Sequence, residues 1–376
     1  MTRVLVVGGG IVGTTHAWEA VQRGHEVVQL EREAQARGAT VRNFGLIWVS
    51  GRSAAELPAA LRARELWEVI GTEVPAVGFR ANGSLTVIRT AAELAVAKEA
   101  LARPDAEARG FALLDPDAAR ARNPALRGEF LAALWCPRDA TVESRVALPP
   151  MRAHLEGTGR YAFRSGCHVV DAEATGAGVT LYDDTGGRHT GDVAILCPGA
   201  TVTGLAHRVA GPLPVRPVQL QMAETAPLAE PLPTSLADAD SFRYYPAYAG
   251  PALQRLRAEQ PQAPVAATHR MQLLAVQRLD GGLTIGDTHA YAEPFAFAVD
   301  EEPYRHLVDV AEALLGRPLP PLRRRWSGVY AQATAPDVLI HRAAPDPRLW
   351  VVTGPGGRGM TLSPALAEQT ADLIGL

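Results

Sequence analysis

Lysine is almost missing from this chain. Of its 37 lysine and arginine residues only Lys98 is a lysine, so any step that needs an ammonium side chain depends on that one position. Cysteine is scarce as well. Cys136, Cys167 and Cys197 stand apart with no metal-ligand spacing, which excludes a disulfide framework and reads them as small buried apolar residues. No run approaches the roughly twenty apolar residues that span a bilayer. The N-terminal apolar block is broken by glycines and lacks a cleavage-site pattern, so a cytoplasmic protein is expected. Charge of one sign is not in excess either: the net charge of −3 argues against nucleic acid as the main partner. What remains is ordinary for a soluble enzyme. At 376 residues and 47% hydrophobic the chain can bury one or two substantial cores, and a monomer or homodimer is expected.

The first thirty residues organise the rest. Val4 to Val7 is an apolar run too short for a helix and bounded by glycines, which suits a strand buried on both faces of a parallel sheet. Gly8, Gly10 and Gly13 then give the G-x-G-x-x-G spacing, where the turn must be tight and the backbone must approach a pyrophosphate at a helix N-terminus. Gly24 stops that helix, His25 to Leu30 reads as the second strand, and Glu31 arrives at its end, placed to accept ribose hydroxyls. The strand–turn–helix–strand–acid context points to a dinucleotide. The motif alone does not choose FAD over NAD.

Further along, Arg37 to Trp48 must lie near the mouth of that site, with Arg42 either a solvated loop charge or a substrate or phosphate contact. Ala54 to Val69 has helical apolar spacing, Gly83 to Ile88 reads as a strand, Ala91 to Ala102 as an exposed helix holding Lys98, and Asp115 to Arg122 as a short capped helix. A helix is expected around Val146 to Leu155, and Gly166 to Val170 and Val179 to Tyr182 read as a hairpin, with His168 a surface residue rather than a ligand. Asp192 to Ala200 is an apolar strand ending in a Pro-Gly turn, the place where open α/β sheets bind ligands. After Arg216 the character changes. Gln219 to Met222, Phe242 to Pro246, Met271 to Arg278 and Leu283 to Asp287 are β-like runs among proline-rich loops, and Glu301 to Leu315 is an amphipathic helix. The chain closes with a strand at Trp350 to Thr353, the glycine-rich turn Gly354 to Gly359, and a helix from Met360 or Pro364. That second anion-facing helix N-terminus implies one interrupted domain around an extended cofactor, which an NAD fold would not normally need.

Taken together, Gly8 to Glu31, Asn43-Phe44-Gly45, Ile195 to Ala200, Leu283 to Asp287, Trp326-Ser327-Gly328 and Gly354 to Gly359 occur in the order seen in the D-amino acid oxidase, glycine oxidase and sarcosine oxidase (DAO) superfamily, which the chain resembles along its whole length. Through Val41 to Gly45, Tyr245 to Tyr248, Gly286 to Tyr291 and Pro355 to Thr361 it is similar to a bacterial subgroup linked to aminophosphonate breakdown. The resemblance implies an α/β fold with an α+β second domain: a Rossmann-type FAD-binding domain in three pieces, residues 1–78, 142–215 and 323–376, and a substrate domain with a mixed or antiparallel sheet, residues 79–141 and 216–322. It implies noncovalent FAD, with Gly8, Gly10, Ile11, Val12 and Gly13 at the pyrophosphate, Glu31 and Arg32 at the adenosine, and Val169 near the adenine. Ala39, Thr40, Asn43, Phe44, Gly45, Cys197, Pro198, Gly199, Gly328, Gly354, Gly357 and Arg358 would complete the cofactor's surroundings. Gly359, Met360 and Thr361 would face the flavin N1/O2 edge, where a helix N-terminus stabilises the reduced anion.

The implied reaction is hydride transfer from a C–N bond to flavin N5, giving an imine that hydrolyses, with oxygen or another electron acceptor closing the cycle. A dehydrogenase acting on a C–O bond of a 2-hydroxy acid or polyol phosphate shares the fingerprint, and a non-catalytic dinucleotide-binding module is the remaining alternative. Departures from the family pattern narrow the substrate. The carboxylate-clamping arginine expected after Gly328 is replaced by Val329-Tyr330, Thr284 stands where sarcosine oxidases carry a lysine, and no cysteine beyond Cys197 can tether the flavin. Tyr244, Tyr245, His289, Tyr291 and Tyr330 are expected in the substrate pocket, with Arg42, Arg243 or Arg358 as clamp for an anionic group; Arg42, Tyr245, His289, Tyr330 and Arg358 are the candidate catalytic set.

Overall fold

A computed structural model describes residues 1–335 and 338–376. Two sheets carry the architecture. The first has six strands in the order His341–Asp346, Leu349–Thr353, Val193–Leu196, Arg3–Val7, Glu26–Glu31, Tyr161–Ser165, parallel except for the His341–Asp346 edge. Side chains alternate across it. Val4, Val6, Val27, Val193, Ile195 and Val352 face helices Ile11–Gln22, Leu57–Glu73, Leu148–Gly157 and Gly359–Ile374. Leu5, Val28, Leu30, Ala194, Leu196 and Val351 face a three-stranded antiparallel sheet, Val169–Thr175, Gly178–Asp183 and Arg188–Gly191, and the helix Leu205–Ala210. Burial on both faces is why these strands are continuous apolar runs in the sequence.

The second sheet has eight strands in the order Leu322–Ala333, Val215–Pro227, Gly282–Gly286, Leu274–Gln277, Ser235–Ala237, Ser84–Ile88, Ala132–Cys136, Ala112–Leu114, antiparallel but for the Ser235–Ala237 and Ser84–Ile88 pair. Helix Glu301–Leu315 covers one face, burying Tyr304, Leu307, Ala311, Leu314 and Leu315 and ending at Gly316 in the left-handed region. Helices Ala91–Leu101 and Pro251–Glu259 pack on another part of the sheet. A third cluster, containing Phe44, Trp48, Leu220, Met222 and Tyr330, lines the cavity described below.

Strand Leu322–Ala333 pairs with Val215–Pro227 from Val215↔Ala333 to Thr225↔Leu322 in the eight-stranded sheet, and the chain rejoins the six-stranded sheet with His341–Asp346. One expectation needs correction. Phe242 to Pro246 is not β: Ser241–Tyr244 is a helical turn followed by a 3-10 turn, Pro246–Tyr248. Phe242 and Tyr248 pack inward there, and Tyr244 and Tyr245 are both left at the cavity, which neighbouring residues of a strand, pointing to opposite faces, cannot do.

Candidate active site

A cavity of ≈ 990 Å³ lies between the two sheets, at the C-terminal ends of the parallel strands. That is the upper end of the small-molecule range, about 300–1,000 Å³, and it leaves room for an extended dinucleotide. At one end Glu31 accepts hydrogen bonds from the Gly9 amide and, at 2.9 Å, from the Glu33 amide. Arg152, its guanidinium stacked 3.9 Å from the Phe163 ring centroid, donates to the Gly9 carbonyl from the other side. The turn is thereby gripped at its middle glycine.

The three fingerprint glycines answer to different constraints. Gly8 has φ +111, and a Cβ on it would lie 2.3 Å from the Cys197 carbonyl oxygen; one on Gly13 would lie 2.1 Å from the Gly8 oxygen. Both are required by backbone packing. A Cβ on Gly10 would meet only Thr40 Oγ1, at 3.2 Å, the hydroxyl that accepts from the Ile11 amide at 2.9 Å. Gly10 thus keeps space open at a helix N-terminus, which is the cradle a pyrophosphate needs.

Toward the other end, Asn43 organises its own turn, donating to the Ala39 and Thr40 carbonyls at 3.0 and 2.8 Å and accepting from the Gly45 amide at 2.7 Å. Arg278, buried and pushed down to about 10 by that burial, donates to the Asn43 carbonyl at 2.8 Å and to Thr284 Oγ1 at 2.9 Å. Thr284 itself is buried away from the cavity wall. The start of helix Gly359–Ile374 is fixed by Trp48, whose amide donates to Thr361 Oγ1, and by Trp67, whose indole donates to the Met360 carbonyl, both at 2.9 Å. Its first turn therefore presents a positive dipole end to this part of the cavity.

Beyond lies an aromatic chamber. Tyr244 stacks on His289 with centroids 4.3 Å apart and meets Tyr245 edge-on at 5.0 Å, and Tyr291 and Tyr330 complete the wall. Burial pushes the hydroxyls of Tyr244, Tyr245 and Tyr330 well above the ordinary phenol value, so they remain protonated hydrogen-bond donors. Asp287 also lines the chamber. Its Oδ1 accepts from Gln272 Nε2 at 2.8 Å, its Oδ2 lies 3.7 Å from His289 Nε2, and burial pushes its carboxyl above the usual range while His289 pulls it down.

The anticipated arginine clamps are occupied. Arg358 donates to Glu56, to the Pro355 carbonyl at 3.0 Å and to the Val338 carbonyl at 3.1 Å. Arg42 is exposed and donates to the Arg37 and Ser327 carbonyls, and Arg243 pairs with Asp240 outside the cavity. Arg52 is different. It is 5% exposed, and its one side-chain hydrogen bond among the described residues runs from Nε to the Trp48 carbonyl at 2.9 Å. Its guanidinium carbon sits 5.9 Å from the Tyr245 centroid, on the cavity wall. Burial pulls the guanidinium below its ordinary value, but an arginine stays charged at neutral pH. Burial also opposes ionisation of Glu56, yet Arg52 and Arg358 outweigh it and hold that carboxyl below its usual range.

The cavity thus brings together residues from the whole length of the chain. Arg42, Tyr245, His289, Tyr330 and Arg358 all line it, as do the anticipated cofactor residues except Gly45 and Gly354. Those two meet structural needs: both have positive φ, and a Cβ on Gly45 would lie 2.0 Å from the Val142 oxygen. Arg52, Glu56, Asp287, Arg152 and Arg278 are additions that spacing did not reveal, although Asp287 lies inside the run Gly286 to His289. The cysteines also differ from expectation in one respect. Cys167 is only partly buried and lies 3.4 Å from His189 Nε2 and 3.6 Å from Asp183, a cluster whose carboxylate also fastens the turn at Thr185 and Gly187.

Among the described residues no helix is long and apolar enough to cross a membrane. The sequence profile of the family described as FAD dependent oxidoreductase (DAO) matches residues 3–373. The chain is 26% identical over 188 residues to one of the subunits of the opine oxidase of Rhizobium meliloti, covering 47% of this chain and 50% of that one. It is 26% identical over 229 residues to glycine oxidase of Geobacillus kaustophilus, covering 57% and 59%. The match thus spans only part of these curated relatives. The fold is shared with L-proline dehydrogenase from P. horikoshii, with a TM-score of 0.80, 20% identity, and 99% and 93% of the two chains covered. The glycine turn, the returning C-terminal helix and the cavity they enclose are therefore those of a DAO-family FAD-dependent oxidoreductase, the family to which this chain belongs.

Proposed function

We propose that the protein oxidises the C–N bond of a small primary or N-methylated amine whose anionic group lies away from the oxidised carbon, with an aminoalkylphosphonate the best fit. FAD, when bound, supplies the two-electron acceptor. The protein's own part is to hold the amine in the tyrosine chamber and to fix its acidic end. The observation that carries the reading is Arg52, a buried guanidinium on the cavity wall with no carboxylate within 4 Å among the described residues. Glu56 offsets the Arg52 charge electrostatically but makes no hydrogen bond to it, so the fork is left for the oxygens of a phosphonate or carboxylate. Because Val329 and Tyr330 follow Gly328, the grip on the anion falls to Arg52 beside Tyr245 instead of to an arginine at the position that the family's glycine and D-amino acid oxidases use.

Anaerobic flavin bleaching tests this. 2-Aminoethylphosphonate or its N-methyl derivative should reduce the flavin well above glycine, sarcosine or D-alanine, releasing ammonia or methylamine. Arg52→Gln should raise KM for the phosphonate roughly 10- to 100-fold with kcat little changed, as expected for a charged hydrogen bond of about 1.5–3 kcal/mol made in ground and transition states alike. Equal or better reduction by D-alanine with the variant unaffected would refute the substrate class, and reduction by glycerol 3-phosphate instead would turn the reading to C–O chemistry.

A further inference from the structure

Four described carboxylates line the cavity: Glu31, Glu33, Glu56 and Asp287. Glu31 and Glu33 lie at the adenosine end, the first bound to two backbone amides and the second beside Arg32 and Arg37. Glu56 is fully engaged, one oxygen with Arg358 and the other with the Ser53 amide at 2.7 Å. Asp287 alone faces the aromatic chamber with an uncommitted oxygen. Its Oδ2 accepts no hydrogen bond among the described residues and lies 3.7 Å from His289 Nε2. His289 Nδ1 lies 3.0 Å from the Arg270 carbonyl, which can only accept, so a neutral ring carries its hydrogen on Nδ1 and leaves Nε2 open. Between Oδ2 and Nε2 there is a place for one further proton.

The amine of the proposed substrate is an ammonium in neutral water, and an ammonium lacks the lone pair that must stabilise the carbon as hydride leaves. We propose that Asp287 and His289 act together as the proton acceptor for the bound ammonium. The inference rests on the amine reading above. The N–H bond breaks, its electron pair stays on nitrogen, and the proton passes to the pair; no electrons are transferred in this step.

The surroundings favour the transfer. Tyr244 and Tyr245 face the pair from the Ser241–Tyr244 turn, Tyr330 from strand Leu322–Ala333, and Tyr291 from the pair's own loop, while His269 and Arg270 offer backbone carbonyls. The first three phenols, raised by burial with the Asp287 charge adding, can donate but do not compete for the proton. Arg52 lies beyond Tyr245. Burial disfavours an ammonium and a carboxylate side by side and favours the neutral pair of amine and protonated acceptor.

The test uses the holoenzyme and an unreactive probe, 2-amino-2-methylpropylphosphonate, labelled with ¹³C at the carbon that bears nitrogen and has no hydrogen to lose. Its ¹³C shift reports whether the bound nitrogen is amine or ammonium. At pH 7 the wild type should show the amine, and Asp287→Asn the ammonium until the pH approaches the probe's own pKa. In parallel, flavin reduction by 2-aminoethylphosphonate should slow at least tenfold at pH 7 in Asp287→Asn and recover by pH 10; His289→Asn should fall between. An ammonium signal in the wild type, or a loss in Asp287→Asn that is the same at every pH, would overturn the proposal and leave the amine reading standing. If no amine bleaches the wild-type flavin, both fall.

Discussion

Gly10 and Gly13 share a turn but predict opposite phenotypes. A side chain at Gly10 has only the Thr40 hydroxyl to displace, whereas one at Gly13 drives into the Gly8 carbonyl. Gly10→Val should therefore fold and purify colourless, with the space for the pyrophosphate filled. Gly13→Ala should lose stability on the scale of overpacking, about 1–3 kcal/mol, and its thermal melt should show this even without flavin. The same contrast explains what the sequence discloses at this scale. Glycine spacing is legible because it reflects local backbone geometry. Which arginine keeps its fork open is not, because Arg42 and Arg358 donate to Ser327, Glu56, Pro355 and Val338, groups that only folding brings near, while the Arg52 side chain donates only to Trp48. In a chain whose basic residues are nearly all arginine, type and spacing cannot make that distinction.

Elements with a strong period and a cap, such as Glu301–Leu315, could be read directly; Phe242 to Pro246 could not, since its aromatic residues favour a strand locally and tertiary packing bends it into turns. Helix Ile11–Gln22 carries a consequence for acid stability. His16 on it is 3% exposed, and burial, with Arg342 nearby, lowers its imidazole to about 4. Its folded pKa lies below the unfolded value of about 6.5, so its full contribution is present above that pH and is lost as the pH falls toward 4. The loss amounts to roughly 3 kcal/mol once both states are protonated. Melting temperature should thus fall between pH 7 and pH 4, and His16→Leu should flatten that part of the curve. An unchanged slope in the variant would place the acid sensitivity elsewhere.

For the molecule as a whole, the cofactor cleft draws on the beginning, middle and end of the chain, joined by the strand order that sets Leu349–Thr353 beside Val193–Leu196 and Val193–Leu196 beside Arg3–Val7. No covalent tether to a later cysteine is available, so acid precipitation should leave free FAD in the supernatant. Flavin retained on the pellet would contradict this. Because FAD would bind only the assembled cleft, adding it at a hundred times its Kd should stabilise the apoprotein by about 2.7 kcal/mol, seen as a rise in melting temperature that NAD does not produce.

Helix Gly359–Ile374, packed against Ile11–Gln22, also sets a schedule for biogenesis. A nascent chain that has emerged only as far as residue 345 already carries the glycine turn, Glu31 and the aromatic chamber, but lacks the strand and the helix N-terminus that close the cleft. Flavin capture must wait until translation has passed those last segments. A ribosome that stops early would leave behind a colourless polypeptide with the first-helix face that packs on Gly359–Ile374 exposed.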